Sequence, residues 1–227
     1  MTQTYGKPPV DCGHFPDVGL TEVMYYLYLP VFMAEHTDLR SPSYLRLPQN
    51  VACLAPLINE AVFREADDGQ EWQYIYLSAR KGWATPDNPL NRPGWHCDGF
   101  GSPDMNYIWW SGPGTRFLLG NYTGISDDHV ESMEEFDWIA KASIENSEWG
   151  VIENRPAKHL YQIDSTVIHA TPELTEGCMR QFVKISFSNE RYNLYGNSHN
   201  YLFDYDWPMV DRELVRNDTS KAQGDHG

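Results

Sequence analysis

The chain is short of cations. Lys and Arg number 17 against 32 Asp and Glu in 227 residues, a formal net charge of −15. Binding along a phosphate backbone rests on cationic neutralisation, so this balance disfavours duplex nucleic acid as a partner. Cysteine is sparse too. Cys12, Cys53, Cys97 and Cys178 form no Cys-x-x-Cys pair and no zinc spacing, which argues against a disulfide scaffold or zinc finger and for reduced thiols in a cytoplasmic protein. Long apolar runs are missing. The longest uncharged one, residues 23–34, contains Pro30 and falls short of the roughly 20 residues a spanning helix needs, so no membrane association is expected. Residues 1–17 hold no basic segment followed by an apolar core, so no secretory leader is expected.

What is present is a globular composition, 41% hydrophobic and 14% aromatic, enough to build one core in a single domain over 1–227. No internal repeat or domain boundary is visible. Residues 1–20, rich in Pro, Gly and Asp, are expected to form a loose arm, and 217–227 a flexible polar tail. Residues 24–32 read equally as strand or helix. Val51, Leu54, Ala55, Ile58, Ala61 and Val62 follow helical spacing, with Pro56 marking either the start of that helix or a bend in it. Residues 72–80 have strand composition, and 106–111 with 115–119 read as a hairpin around Gly112-Pro113-Gly114. Ser126 is placed to cap a helix whose core positions are Val130, Met133, Phe136, Ile139 and Ala140, its acidic residues forming a solvated face. Residues 160–168 read as strand, turn, strand, and 180–188 as a strand. Residues 189–207, dense in tyrosine, are expected as a final strand covering the core or as a lid.

The chemistry concentrates in Trp95-His96-Cys97-Asp98-Gly99-Phe100 and in His169 with Arg180 downstream. Side chains two apart on extended backbone share a face, so His96 and Asp98 converge while Cys97 points away. A lone His-x-Asp is weak evidence, and the chain holds a second, His36-Thr37-Asp38. That one runs into a turn-like stretch ending at Pro42, and the related His129-Val130-Glu131 opens a helix, where residues two apart do not face each other. Only His96 and Asp98 have a third ligand, His169, that ends a strand and is followed eleven residues later by an arginine on another. Two imidazoles and one carboxylate on one face of a metal leave neighbouring positions open, the donor set of non-haem Fe(II). On strand 180–188 Arg180, Phe182, Lys184 and Ser186 fall on one face; a buried arginine there requires a partner, and a carboxylate suits its planar fork.

His96-x-Asp98, then His169, then Arg180 resembles the 2-oxoglutarate and Fe(II)-dependent dioxygenase superfamily. The resemblance covers about residues 71–188 and departs from members that carry Arg-x-Ser, since this chain has Arg180-Gln181-Phe182. It implies a mainly β fold with flanking helices, built on a double-stranded β-helix (jelly-roll, cupin-like) core. It also implies that His96, Asp98 and His169 ligate iron and that Arg180 binds the far carboxylate of 2-oxoglutarate, with Tyr107 and Asn106 as further co-substrate candidates. Arg92, Trp95 and Phe100 are substrate candidates from their place beside the motif. The activity implied is oxidation, most often hydroxylation, of a substrate with release of succinate and carbon dioxide. A small molecule or nucleotide is favoured as substrate, its identity open. Two other readings stand beside this one: a cupin-like metal enzyme that does not use 2-oxoglutarate, and a non-catalytic β-sandwich binding module.

Overall fold

A computed structural model of the chain describes residues 3–41 and 43–212. The protein is mainly β with two helices. Eleven strands form a six-stranded sheet, a three-stranded sheet and a two-stranded ribbon among these residues. In chain order the strands are β1 (Thr4–Tyr5), β2 (Val10–His14), β3 (Met24–Met33), β4 (Tyr74–Ala84), β5 (Met105–Trp110), β6 (Arg116–Leu119), β7 (Tyr122–Thr123), β8 (Val151–Asn154), β9 (His159–Ile163), β10 (His169–Ala170) and β11 (Cys178–Ser188); the helices are α1 (Ala55–Asp67) and α2 (His129–Glu145). The large sheet runs β2-β9-β5-β11-β4-β3 and the small one β10-β6-β8, with the backbone at His96 bridging onto β10 as a further edge. No helix among the described residues is long and apolar enough to cross a membrane.

The antiparallel pairs are nested. β4 pairs with β11, the His96 segment with β10, β5 with β9 and β6 with β8. Two further pairs, β5 with β11 and β6 with β10, zip these together within the two sheets. Alternation along each strand then sorts side chains into layers. On β11, Val183, Ile185 and Phe187 join Leu57, Ile58 and Ala61 of α1 in one core, on the outer side of the large sheet. From the other face Phe182 packs on Ile108, Trp110, Phe117, Tyr161 and Ile163, which fill the space between the sheets. A third core lies under α2, where Phe136, Ile139 and Ala140 meet Trp95, Cys97, Leu118 and Ile168.

Several sequence expectations change. The N-terminal segment is not loose: β1 and β2 pair with β7 and β9, and Tyr5, Cys12, Val18 and Leu20 are buried. Its glycines and prolines obscured short edge strands whose ladders come from distant partners. Residues 24–32 resolve as the strand β3. Pro56 starts a helix rather than bending one, since α1 begins at Ala55 after a 3₁₀ segment, Gln49–Leu54; proline's missing N–H costs nothing in a first turn. β5 and β6 are not a hairpin. They belong to different sheets, and Gly112-Pro113-Gly114 carries the chain across between them, with Gly114 so close to Trp110 that a Cβ there would lie 2.3 Å from Nε1. Asp128, not Ser126, caps α2, its Oδ1 accepting from the amides of Val130 and Glu131 at 2.8 and 3.0 Å. Residues 189–207 form no long strand; Phe203 and Trp207 instead bury irregular chain against Met33, Tyr74 and Tyr76. The expected tail at 217–227 lies outside the described residues.

Candidate metal centre

His96 and His169 are joined by two backbone bonds, His96 N–H to His169 O at 3.0 Å and His169 N–H to His96 O at 2.9 Å. Residues that exchange both bonds stand directly opposite and present their side chains on the same face. The imidazoles accordingly lie with ring centroids 4.6 Å apart. Asp98, two residues on, projects to the same side, while Trp95 and Cys97 go into the core under α2. One ligand atom from each of His96, Asp98 and His169 lies within 4.8 Å of the other two, and the Asp98 Oδ2 to His169 Nε2 separation is 3.4 Å.

The ring orientations are set from behind. His96 Nδ1 donates to Gly94 O at 3.1 Å and His169 Nδ1 to Val167 O at 3.0 Å. A carbonyl only accepts, so each Nδ1 carries a proton, and Nε2 is the ring nitrogen left to face a metal. Burial, with His169 adding to it, pushes the His96 pKa down to about 3, so this imidazole is neutral across the physiological range. Burial alone would raise the Asp98 carboxyl, but Lys184, then His169 and His96, outweigh it and hold Asp98 well below its ordinary value. Two imidazole nitrogens and one carboxylate suit a divalent metal, whose binding requires them deprotonated.

Lys184 was in view on the strand alternation but was assigned no role from sequence. Its Nζ donates to Asp98 Oδ1 at 2.8 Å and to Tyr28 Oη at 3.0 Å. It occupies one carboxylate oxygen and leaves Oδ2 on the side of the histidines, as one-oxygen ligation needs. Tyr28 had no sequence signal beyond sitting in an apolar run. Its φ of +48° marks a break in β3, where pairing to β4 shifts register between Tyr26 and Leu29. Left-handed backbone is uncommon for a bulky side chain, and such positions gather at functional sites.

The other candidates divide. Arg180 is on the face of β11 that carries Lys184, fully buried, with Nε donating to Pro113 O at 3.1 Å and Nη1 to Pro89 O at 3.2 Å and Asn91 Oδ1 at 2.5 Å. Among the described residues it forms no ion pair. Asn106 comes close to the metal motif. Its Oδ1 accepts from Ser186 Oγ at 2.6 Å and its Nδ2, buried, has no partner among the described residues. A Cβ on Gly99, next to Asp98, would lie 3.5 Å from that Nδ2.

Tyr107 is turned the other way. Neighbouring residues on a strand face opposite sides, and its hydroxyl donates to buried Glu65 of α1 at 2.6 Å, where Trp72 and Gln162 also bond. Arg92, Trp95 and Phe100 gather on the α2 side. Arg92 reaches His129 Nε2 at 3.2 Å and Met133 Sδ at 3.0 Å, Trp95 is buried beneath the Arg116 guanidinium, and Phe100 stacks on Tyr5. None of these contacts joins them to the triad. Next to it, loop 86–94 and residues 171–174 enclose a cleft of about 420 Å³ lined by Pro89, Asn91, Arg116 and Thr171. Compared with models of known protein families and with characterised proteins, the chain matches none.

Proposed function

We propose that the protein is a non-haem Fe(II) and 2-oxoglutarate-dependent oxygenase whose most common outcome is hydroxylation of a small molecule or nucleotide. The observation that carries this reading is the reciprocal backbone pairing of His96 with His169, which brings two imidazole nitrogens and the Asp98 carboxylate to one point. The nested strand pairing supports the double-stranded β-helix. Eight segments paired first with last, second with seventh, third with sixth and fourth with fifth are what a long hairpin gives when rolled into two facing sheets.

The residues fit the proposed groups. His96, His169 and Asp98 would hold the metal from one side. Lys184 holds the second oxygen of Asp98, fixing the carboxylate as outer-shell partners do. Arg180 is a buried guanidinium whose partners are all neutral, so an incoming carboxylate would supply the counter-charge it lacks. The unpartnered Nδ2 of Asn106 is a donor kept beside the triad for an oxygen acceptor. When bound, Fe(II) with 2-oxoglutarate and dioxygen supplies the oxidation, which consumes the keto acid to succinate and carbon dioxide. What the chain contributes is orientation and a dry surround: Phe117, whose ring centroid is 6.3 Å from that of His169, is part of the apolar filling between the sheets.

Anaerobic Fe(II) titration with 2-oxoglutarate tests this. The expected result is a visible charge-transfer band that needs both components and is lost in His96→Ala and Asp98→Ala. Succinate release across a panel of small-molecule and nucleotide substrates then finds the substrate class. A metal-loaded protein with no such band and no succinate release overturns the 2-oxoglutarate assignment. One observation favours the second reading, a cupin-like metal enzyme without 2-oxoglutarate: Arg180 Nε and Nη1 already have acceptors, so this arginine also makes sense as a strap between loop 86–94 and the turn at Pro113.

A further inference from the structure

Away from the metal centre, α2 and two loops enclose a groove of about 1020 Å³, at the upper end of the range for sites that hold an organic group. Its wall on α2 is the stripe Glu131, Glu135 and Trp138, at helical spacings of four and three, with Glu134 one turn before Trp138. Glu148 and Trp149 line the other side. Trp138 and Trp149 are 56% and 49% exposed, more than tryptophan usually concedes to solvent. They meet edge to face with centroids 5.1 Å apart and planes at 85°, so two aromatic surfaces form a corner. Tyr122 makes the floor, and its position depends on two glycines, since a Cβ on Gly120 or Gly150 would lie 2.3 or 1.9 Å from its hydroxyl oxygen.

The charge of the groove has one sign. Four glutamates line it and neither lysine nor arginine does. None of the four enters an ion pair among the described residues. Glu131 and Glu135 instead accept from the hydroxyl and amide of Ser126, at 2.7 and 2.9 Å. Those two bonds fix carboxylates without neutralising them. An aromatic corner under unneutralised carboxylates is complementary to an alkylammonium or guanidinium group, which gains from the ring faces and from the charges together. The groove also exceeds what one ammonium would fill.

We propose that this groove docks a lysine-bearing extended segment of a partner protein, one lysine side chain lying against Trp138 and Trp149 and its backbone running past Glu131 and Glu135. The inference is independent of the reaction proposed for the metal centre. Its test is a fluorescence titration of the full chain with acetyl-Gly-Lys-Gly-Lys-Gly-amide. Saturable quenching is expected, weakened at least tenfold in Trp138→Ala, in the pair Glu134→Gln with Glu135→Gln, and for the same peptide with both lysines acetylated. The pair Glu22→Gln with Glu71→Gln, both exposed and elsewhere, is expected to bind as the parent does. Equal loss in that control pair would reduce the effect to overall charge and overturn the proposal. So would acetylated peptide binding as tightly, or tetramethylammonium matching the lysine peptide, which would make this a site for small cations.

Discussion

Arg180 and Lys184 leave the same face of β11, about 13 Å apart along the strand, and both are buried. Arg180 is surrounded by dipoles: two carbonyls and one amide oxygen. Lys184 is paired with a charge, the Asp98 carboxylate, and with one phenol. The consequences diverge. Burial drives the Arg180 pKa down to about 10, still cationic at neutral pH, whereas for Lys184 Asp98 more than offsets burial and the pKa rises. Burial therefore does not separate a scaffold cation from a site cation; the charge of the partner does. Lys184 already has its carboxylate; under the proposed function Arg180 is the cation that would gain one.

The sharpest way to break this contrast is Asp98→Ala. It removes a candidate metal ligand and strands Lys184 at once, and removing one member of a buried ion pair costs about 3–5 kcal/mol. Urea unfolding of the metal-free variant is expected to show a loss of that order, with no Fe(II) or Co(II) retained on dialysis. His169→Ala should lower metal affinity by more than the roughly 100-fold that outer-shell changes reach, yet spare the Lys184 pair. A metal-free His169→Ala that loses as much stability as Asp98→Ala would mean the ion pair is not what stabilises this corner.

Substituting the two cations themselves sharpens the contrast. Lys184→Met should weaken metal binding by about 10–100-fold, the usual cost of losing an outer-shell partner, and move the 2-oxoglutarate requirement less. Arg180→Met should do the reverse, raising the concentration of 2-oxoglutarate needed for the charge-transfer band while metal affinity holds. Calorimetry with Co(II) and titration of that band read the two effects separately. If the effects exchange places, the roles of the two residues exchange with them.

The triad was legible because alternation on extended backbone relates Asp98 to His96, and because a strand was expected beside His169, which opens β10. The inner strands β4, β5, β9 and β11 of the large sheet and both helices were visible in composition and periodicity for the same local reason, whereas β3 read equally as strand or helix. What escaped depends on partners far along the chain. β1 and β2 are strands because β7 and β9 supply their ladders, and β5 and β6 part company because the turn at Pro113 crosses between sheets. Tyr107 and Asn106, adjacent in sequence, were both candidates; their opposite faces were readable, but which face turns toward the His96, Asp98 and His169 group was not, until β9 and β11 flanked them. The glutamates of α2 read as a solvated face, and Glu131 and Glu134 are exposed; what was not legible is that residues 120–125 and 148–150 come alongside them to form a groove.

The smallest expected effect is also the most discriminating for Arg180. Asn91→Ala removes one of its three neutral acceptors, and a single such bond contributes about 0.5–1.5 kcal/mol. In the metal-free protein the midpoint of thermal unfolding should fall by an amount consistent with that loss. Adding Fe(II) and 2-oxoglutarate under anaerobic conditions then separates the alternatives. If a carboxylate of the co-substrate reaches Arg180, it replaces the missing acceptor, and the deficit relative to the parent narrows. If Arg180 is only a strap between loop 86–94 and the turn at Pro113, the deficit stays the same with and without the diacid.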